Sequence, residues 1–149
     1  MTDRPPPARP AVTVTATREH DLADDVASVT ELVLRDLHAN AAPPVHEPGT
    51  VEIADGSPPG SLTVTLRGSN GLLGGFGVYA TSGKRAVAHL QVADGLAQEF
   101  VLLHQTTAPV CPDHRHPAQA AVRDDRVVWR CPTSETAFWP LGTLPAATV

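Results

Sequence analysis

The sequence predicts an α+β fold: an antiparallel meander of about four strands, two helices on one of its faces, and a C-terminal β-hairpin. Three observations lead there. A three-and-four apolar period begins after Asp21, alternating apolar and polar residues with turn clusters between them fill positions 51 to 92, and a cysteine- and histidine-containing tail follows Pro109.

Residues 1–18 are rich in proline and threonine and read mainly as a disordered arm, although Val12 and Val14 alternate with Thr13 and Thr15 as an edge strand would. Leu22, Val26, Val29, Val33 and Leu37 then share one helical face. Asp21 suits the N-cap, Asp24 and Asp25 the first turn, and Arg35 and His38 the negative end of the dipole. Asn40 and Pro43-Pro44 stop this first helix.

Val51 and Ile53, then Leu62, Val64 and Leu66, alternate with polar residues around the turn cluster Asp55 to Gly60, the pattern of half-buried antiparallel strands. Gly68-Ser69-Asn70-Gly71 marks a reversal, and Val78–Thr81 and Ala86–Val92 supply two further strands. A second helix is expected from an Asp94 cap to about Thr106, with Leu96, Phe100 and Leu103 on one side. A single helix from Arg85 to Gln105 competes. Gly95 in its middle would cost about 1 kcal/mol against alanine, and Val87 and Val92 favour a pleated surface, so strand followed by helix is preferred.

After Pro109 a hairpin is expected from Ala118–Val122 and Arg126–Arg130, turned at Asp124-Asp125. The chain thus divides into an arm (1–18), an α+β core (19–107) and a C-terminal hairpin with a metal knuckle (108–149), the last two forming one compact unit. At 149 residues the chain is long enough for one domain with a real core.

The tail carries the only constellation with metal chemistry. Cys111, His114, His116 and Cys131 offer two thiolates and two imidazoles, a donor set that suits tetrahedral zinc. Four protein ligands would close the shell and make the site structural. The spacing departs from paired Cys-x2-Cys knuckles, because one side reads Cys-x2-His-x-His and the other offers a lone cysteine. Val127, Trp129 and Cys131 share one strand face, so Trp129 can shield a site beside Cys131. Reduced thiols without metal and a Cys111–Cys131 disulfide remain competing states, the disulfide disfavoured by a reducing compartment.

The run Cys111-Pro112-x-His114-x-His116-Pro117, followed by Arg123-Asp124-Asp125-Arg126-Val127-Val128-Trp129-Arg130-Cys131-Pro132 and Leu141-Gly142-x-Leu144, resembles a C-terminal signature in a family of small proteins of unknown function from high-GC Gram-positive bacteria. Val92-Ala93-Asp94-Gly95-Leu96-Ala97-Gln98-Glu99 resembles the helix that leads into it there. The likeness covers residues 92–144, about the last third of the chain. It implies one natural domain and adds weight to metal binding, without implying an activity. Thr133-Ser134-Glu135-Thr136 adds no further ligand.

Composition narrows function by exclusion. Net charge is -5 and Lys84 is the only lysine, which disfavours nucleic acid as the main partner. The longest bulky apolar run, Phe100–Leu103, is far short of the roughly 20 residues that cross a bilayer. Prolines at 5, 6, 7 and 10 interrupt any secretory segment, so a cytoplasmic protein is expected. Gly75-Phe76-Gly77-Val78-Tyr79-Ala80 matches a dinucleotide fingerprint in letters only, because strand rather than helix follows it; a glycine-rich hairpin is the better reading. Leu72, Leu73 and Phe76 within it are expected to fold onto the sheet, the alternative being an exposed apolar knuckle for a partner.

His20, His38, His46, His89 and His104 are scattered and read as surface or satisfied core histidines, with His89 and His104 the pair that folding might bring together. Asp24-Asp25 and Asp124-Asp125 read as helix and turn chemistry, and Trp129 and Trp139 as core or cover for the hairpin. No nucleophile elbow and no His-Glu-x-x-His helix occurs.

The leading expectation is therefore a cytoplasmic, non-enzymatic accessory or protein-interaction module with a structural zinc site. Two alternatives stand beside it. One is a zinc-dependent hydrolase in which His114, His116 and one cysteine leave a position open for water and Asp113 or Glu135 serves as base. The other is a zinc-ribbon-like nucleic-acid binder that gathers Arg115, Arg123, Arg126 and Arg130 on one face.

Overall fold

The computed structural model describes residues 10–41, 45, 47–79, 85–112, 116–134 and 136–146. The elements run β1 (Ala11–Val14), α1 (His20–Asn40), β2 (Thr50–Asp55), β3 (Ser61–Gly68), β4 (Gly71–Tyr79), α2 (Arg85–His104), β5 (Gln119–Arg123), β6 (Arg126–Arg130) and β7 (Phe138–Pro140). They form the α+β architecture expected, with a four-stranded sheet in the order β1-β2-β3-β4 and a three-stranded sheet in the order β5-β6-β7.

The first sheet is mixed. β2, β3 and β4 pair antiparallel, whereas β1 lies parallel to β2, with Val12 beside Val51 and Val14 beside Ile53. Part of the expected arm is thus a strand. Thr15 and Ala16 donate to the Ile53 carbonyl, and the Asp55 carboxylate accepts from the Thr17 amide, the Thr17 hydroxyl and the Arg18 amide. Residues 1–9 lie outside the described residues.

Val51, Ile53, Leu62, Val64, Leu66 and Val78 are buried, and the pairing register puts them on one face. Both helices cover that face, α1 towards β1 and β2 and α2 towards β4. α1 buries Ala23, Val26, Val29, Val33 and Leu37, the apolar period expected of it. Its N-cap is Glu19, at φ 48° and without a side-chain cap, rather than Asp21, which lies in the first turn.

The largest correction concerns residues 85–104. Strand Ala86–Val92 and the Asp94 cap do not exist; one continuous α2 runs through both, burying Ala88, Val92, Ala93, Leu96 and Phe100 at helical spacing. Gly95 is the reason. A Cβ built there would lie 2.6 Å from the Phe76 ring of β4, so the missing side chain is the seat of an aromatic ring rather than a helix breaker. The fourth strand of the sheet is β1 instead. Residues 75–77 lie within β4, the second arm of the β3–β4 hairpin that turns between Gly68 and Gly71, and Leu72 at the start of that strand is 68% exposed. Thr81 lies outside the described residues.

The C-terminal hairpin forms as β5 and β6, one residue later than expected at its start, and Asp124 and Asp125 occupy its tip at φ 52° and 62°. Two consecutive left-handed residues make the tight turn whose twist matches that of the strands. β7 adds a third strand that the sequence reading missed, with Trp139 opposite Trp129. Val127 and Trp129 project into the same hydrophobic cluster as α1, α2 and the first sheet.

Candidate metal centre

Two returns of the chain build this site. In the first, the Cys111 amide donates to the His116 carbonyl at 2.7 Å and the Ala118 amide to the Pro109 carbonyl at 2.9 Å, with a bridge between Val110 and Pro117. The loop therefore closes on itself with Cys111 at one end and His116 at the other. In the second, Cys131 follows β6 directly; its amide donates to the Ala137 carbonyl, and the Ser134 amide donates back to the Cys131 carbonyl at 3.3 Å. Sheet pairing of the tail thus sets the second sulfur beside the first loop.

The ligand atoms of Cys111, His116 and Cys131 all lie within 4.8 Å of one another. Cys131 Sγ is 3.5 Å from His116 Nε2. Zinc bonds of about 2.3 Å to sulfur and about 2.0 Å to nitrogen give tetrahedral edges of roughly 3.5–3.8 Å, so this separation needs little adjustment to accept an ion. His116 Nδ1 faces the Pro117 carbonyl at 3.4 Å. A proton on Nδ1 leaves the Nε2 lone pair for the metal, the usual outer-sphere arrangement of a ligating histidine. The Thr133 hydroxyl stands 2.9 Å from His116 Nε2 and 3.3 Å from Cys131 Sγ, closing one side of the group.

Both cysteines are fully buried, and no disulfide joins them to each other. The three residues can hold a metal ion. His114, the fourth donor expected, lies outside the described residues, as do Asp113, Arg115 and Glu135. Comparison with protein-family models, curated proteins and solved structures returned no match.

What fastens this module to the rest of the protein is a set of polar residues on α1: Asp36, which the sequence reading passed over, and Arg35 and Asn40, which it took only as helix-end residues. Asp36, buried on α1, accepts from Trp129 Nε1 at 2.8 Å, the Gly142 amide at 2.7 Å and the Leu144 amide at 3.1 Å. Burial pushes its carboxyl above the usual range, opposed by those hydrogen bonds and by the Arg35 charge. One turn on, Asn40 donates to the carbonyls of Val110 and Pro145 and accepts from the Val110 amide at 2.8 Å. The Arg35 guanidinium donates to the Gly142 carbonyl. The signal was available: Asp36 and Asn40 continue the helical spacing of Val29 and Val33, so two polar residues sit where the apolar stripe should run.

The remaining candidates are structural. His89 and His104 do not meet, being fifteen positions apart on α2, about 22 Å along its axis. His89 Nε2 pairs with Asp25 at 2.7 Å, joining α2 to α1, in the one ion pair among the described residues. His104 and His38 both reach the Glu47 carbonyl, at 2.9 and 3.2 Å, and pack against Phe100. His46 lies outside the described residues. No described helix is long and apolar enough to cross a membrane.

Proposed function

We propose that the chain is a small, non-enzymatic interaction module of the cytoplasm whose C-terminal three-stranded sheet is held by one structural zinc ion. Cys111, His116 and Cys131 ligate it, and His114 completes the shell, as the Cys111-x2-His114 spacing allows. The single observation behind this reading is the 3.5 Å approach of Cys131 Sγ to His116 Nε2 across two separate returns of the chain, with Cys111 in the same group. Burial of both sulfurs favours a closed, structural site over one that admits substrate. The groove between α2 and β5 has none of the three donors among its described lining residues.

A second reading has one specific observation in its favour. Arg123 stands opposite Arg126 in the β5–β6 register, Arg130 follows Arg126 by four residues, and all three are exposed on the same face of the sheet. The Arg123 guanidinium stacks 4.0 Å above the Phe138 ring. A zinc-ribbon-like nucleic-acid binder would use such a face. Retention on single-stranded DNA with a log–log salt slope near -2, about 0.7 per phosphate for three arginines, would support it; no retention at low salt removes it.

Metal analysis of the purified, reduced protein beside Cys131→Ser tests the principal reading. One zinc per chain, lost in the variant, is the expected result. A folded wild type without metal overturns it.

A further inference from the structure

α2 and the C-terminal sheet leave an open groove between them, with a volume of about 390 Å³. Its walls are largely small: Ala97 on the helix, Ala108 in the following loop, Ala118 and Ala120 before and within β5. Trp129 forms the floor, while Val101 and Leu102 stand at the rim, Leu102 being 72% exposed. Asp94 is the only charged residue among the described residues of the lining. Its carboxylate has no hydrogen-bond or ion-pair partner among the described residues, and partial burial raises its pKa. Asp94 is exposed beside this apolar trough, so a basic group can reach its carboxylate from solvent while apolar groups enter the trough.

We propose that this groove is the docking surface for a protein partner, taking a short peptide segment that sets a basic side chain on Asp94 and apolar side chains between Val101, Leu102 and Ala120.

Charge complementarity selects the basic end. The one ionisable group among the described lining residues is negative, the chain as a whole carries -5, and the flanking Gln98 and Gln119 offer amides that accept or donate to a peptide backbone. Distance sets the spacing. From Asp94 to Leu102 is eight residues of helix, about 12 Å, which three to four residues of extended chain span. The alanine walls supply the room, since larger residues at 97, 118 and 120 would fill it. This names a partner class for the interaction module proposed above and rests on that part of the reading, not on the ion.

The test uses isotopically labelled full-length protein as purified, with zinc content measured on the same sample. The probe is an acetylated, amidated hexapeptide with lysine at position one and leucines at four and five. Glutamate in place of the lysine, and serines in place of the leucines, give the comparison peptides. The lysine peptide is expected to shift the amides of residues 94–102 and 119–120 and the Trp129 indole, and to bind about tenfold more tightly than either comparison peptide. Asp94→Asn, at an exposed site that leaves the fold intact, should weaken it fivefold to tenfold and remove the lysine-over-glutamate preference. Gln98→Lys should reverse that preference.

Equal binding of the lysine and glutamate peptides, shifts confined to other surfaces, or no shift at all would each overturn the proposal. Shifts of the groove residues with protein concentration alone would also overturn it, by making a second copy the occupant. Metal content separates the two readings: zinc present without peptide binding defeats the groove only, and peptide binding without zinc defeats the metal site only.

Discussion

The Trp129 indole donates to the Asp36 carboxylate at 2.8 Å, across 93 positions of sequence, and both side chains are buried. A helix formed early in the chain thus presents a three-bond acceptor to a strand, and to a tail, that come near its end. This latch and the neighbouring Asn40 fix where the C-terminal sheet sits, and through it where Cys131 lies relative to the Cys111–His116 loop.

Removing Asp36 should therefore be severe. Asp36→Ala leaves the Trp129 indole and the Gly142 and Leu144 amides without an acceptor, each worth roughly 1–3 kcal/mol when buried, so a loss of about 3 kcal/mol or more is expected in urea unfolding. Trp129 fluorescence reports whether the tail is released. A loss under about 1 kcal/mol would mean the latch is incidental.

Asn40→Ala should cost about 2 kcal/mol for its three bonds to Val110 and Pro145. In a double mutant with Asp36→Ala the two losses should not add, because either change alone frees part of the same segment. Strict additivity would count against a shared role.

Two of the perturbed carboxylates, Asp55 and Asp36, give opposite pH dependences. Asp55 has its pKa lowered from 3.8 to about 2 by the Thr17 hydroxyl, the Thr17 amide and the Arg18 amide; its contribution is present above pH 4 and is lost as pH falls towards 2. Asp36, raised by burial, binds protons more readily in the folded state, so its contribution is present below its ordinary pKa of 3.8 and is lost as pH rises through the raised value. Asp55→Asn should flatten the acid limb of a stability profile. Asp36→Asn should remove a decline in the opposite direction, and the same sign in both variants would contradict these assignments.

Gly95 offers a sign reversal. In an ordinary helix interior, Gly→Ala gains about 1 kcal/mol. Here the new Cβ meets the Phe76 ring, so Gly95→Ala should destabilise by about 1–2 kcal/mol. In a Phe76→Ala background the same change should stabilise by about 1 kcal/mol. Thermal unfolding of the four proteins in this cycle settles the matter.

Chelation should lower the melting temperature of the wild type and leave Cys131→Ser unmoved. With free zinc a thousandfold above its dissociation constant, the ion contributes about 4 kcal/mol by mass action. His116→Ala should remove most of it. An unchanged wild-type melting temperature in chelator would argue against a stabilising ion.

Local periodicity alone specified much of this protein. The apolar stripe of α1, the alternation of β2 and β3 and the Asp124-Asp125 hairpin could be read from near neighbours in the chain, because each depends on spacing within a few residues, and the residue types of Cys111, His116 and Cys131 marked them as donors. Three features were decided by partners distant in sequence. β1 is a strand only because β2 offers it an edge. Gly95 of α2 is a packing site rather than a break, because the Phe76 ring of another strand fills the space where its side chain would be. Asp36 and Asn40 can be buried only because Trp129 and the tail bring the donors and acceptors that offset their desolvation. Short-range pattern determines which elements exist; the satisfaction of buried groups by partners distant in sequence decides how they extend, where they dock, and which sulfur meets which imidazole.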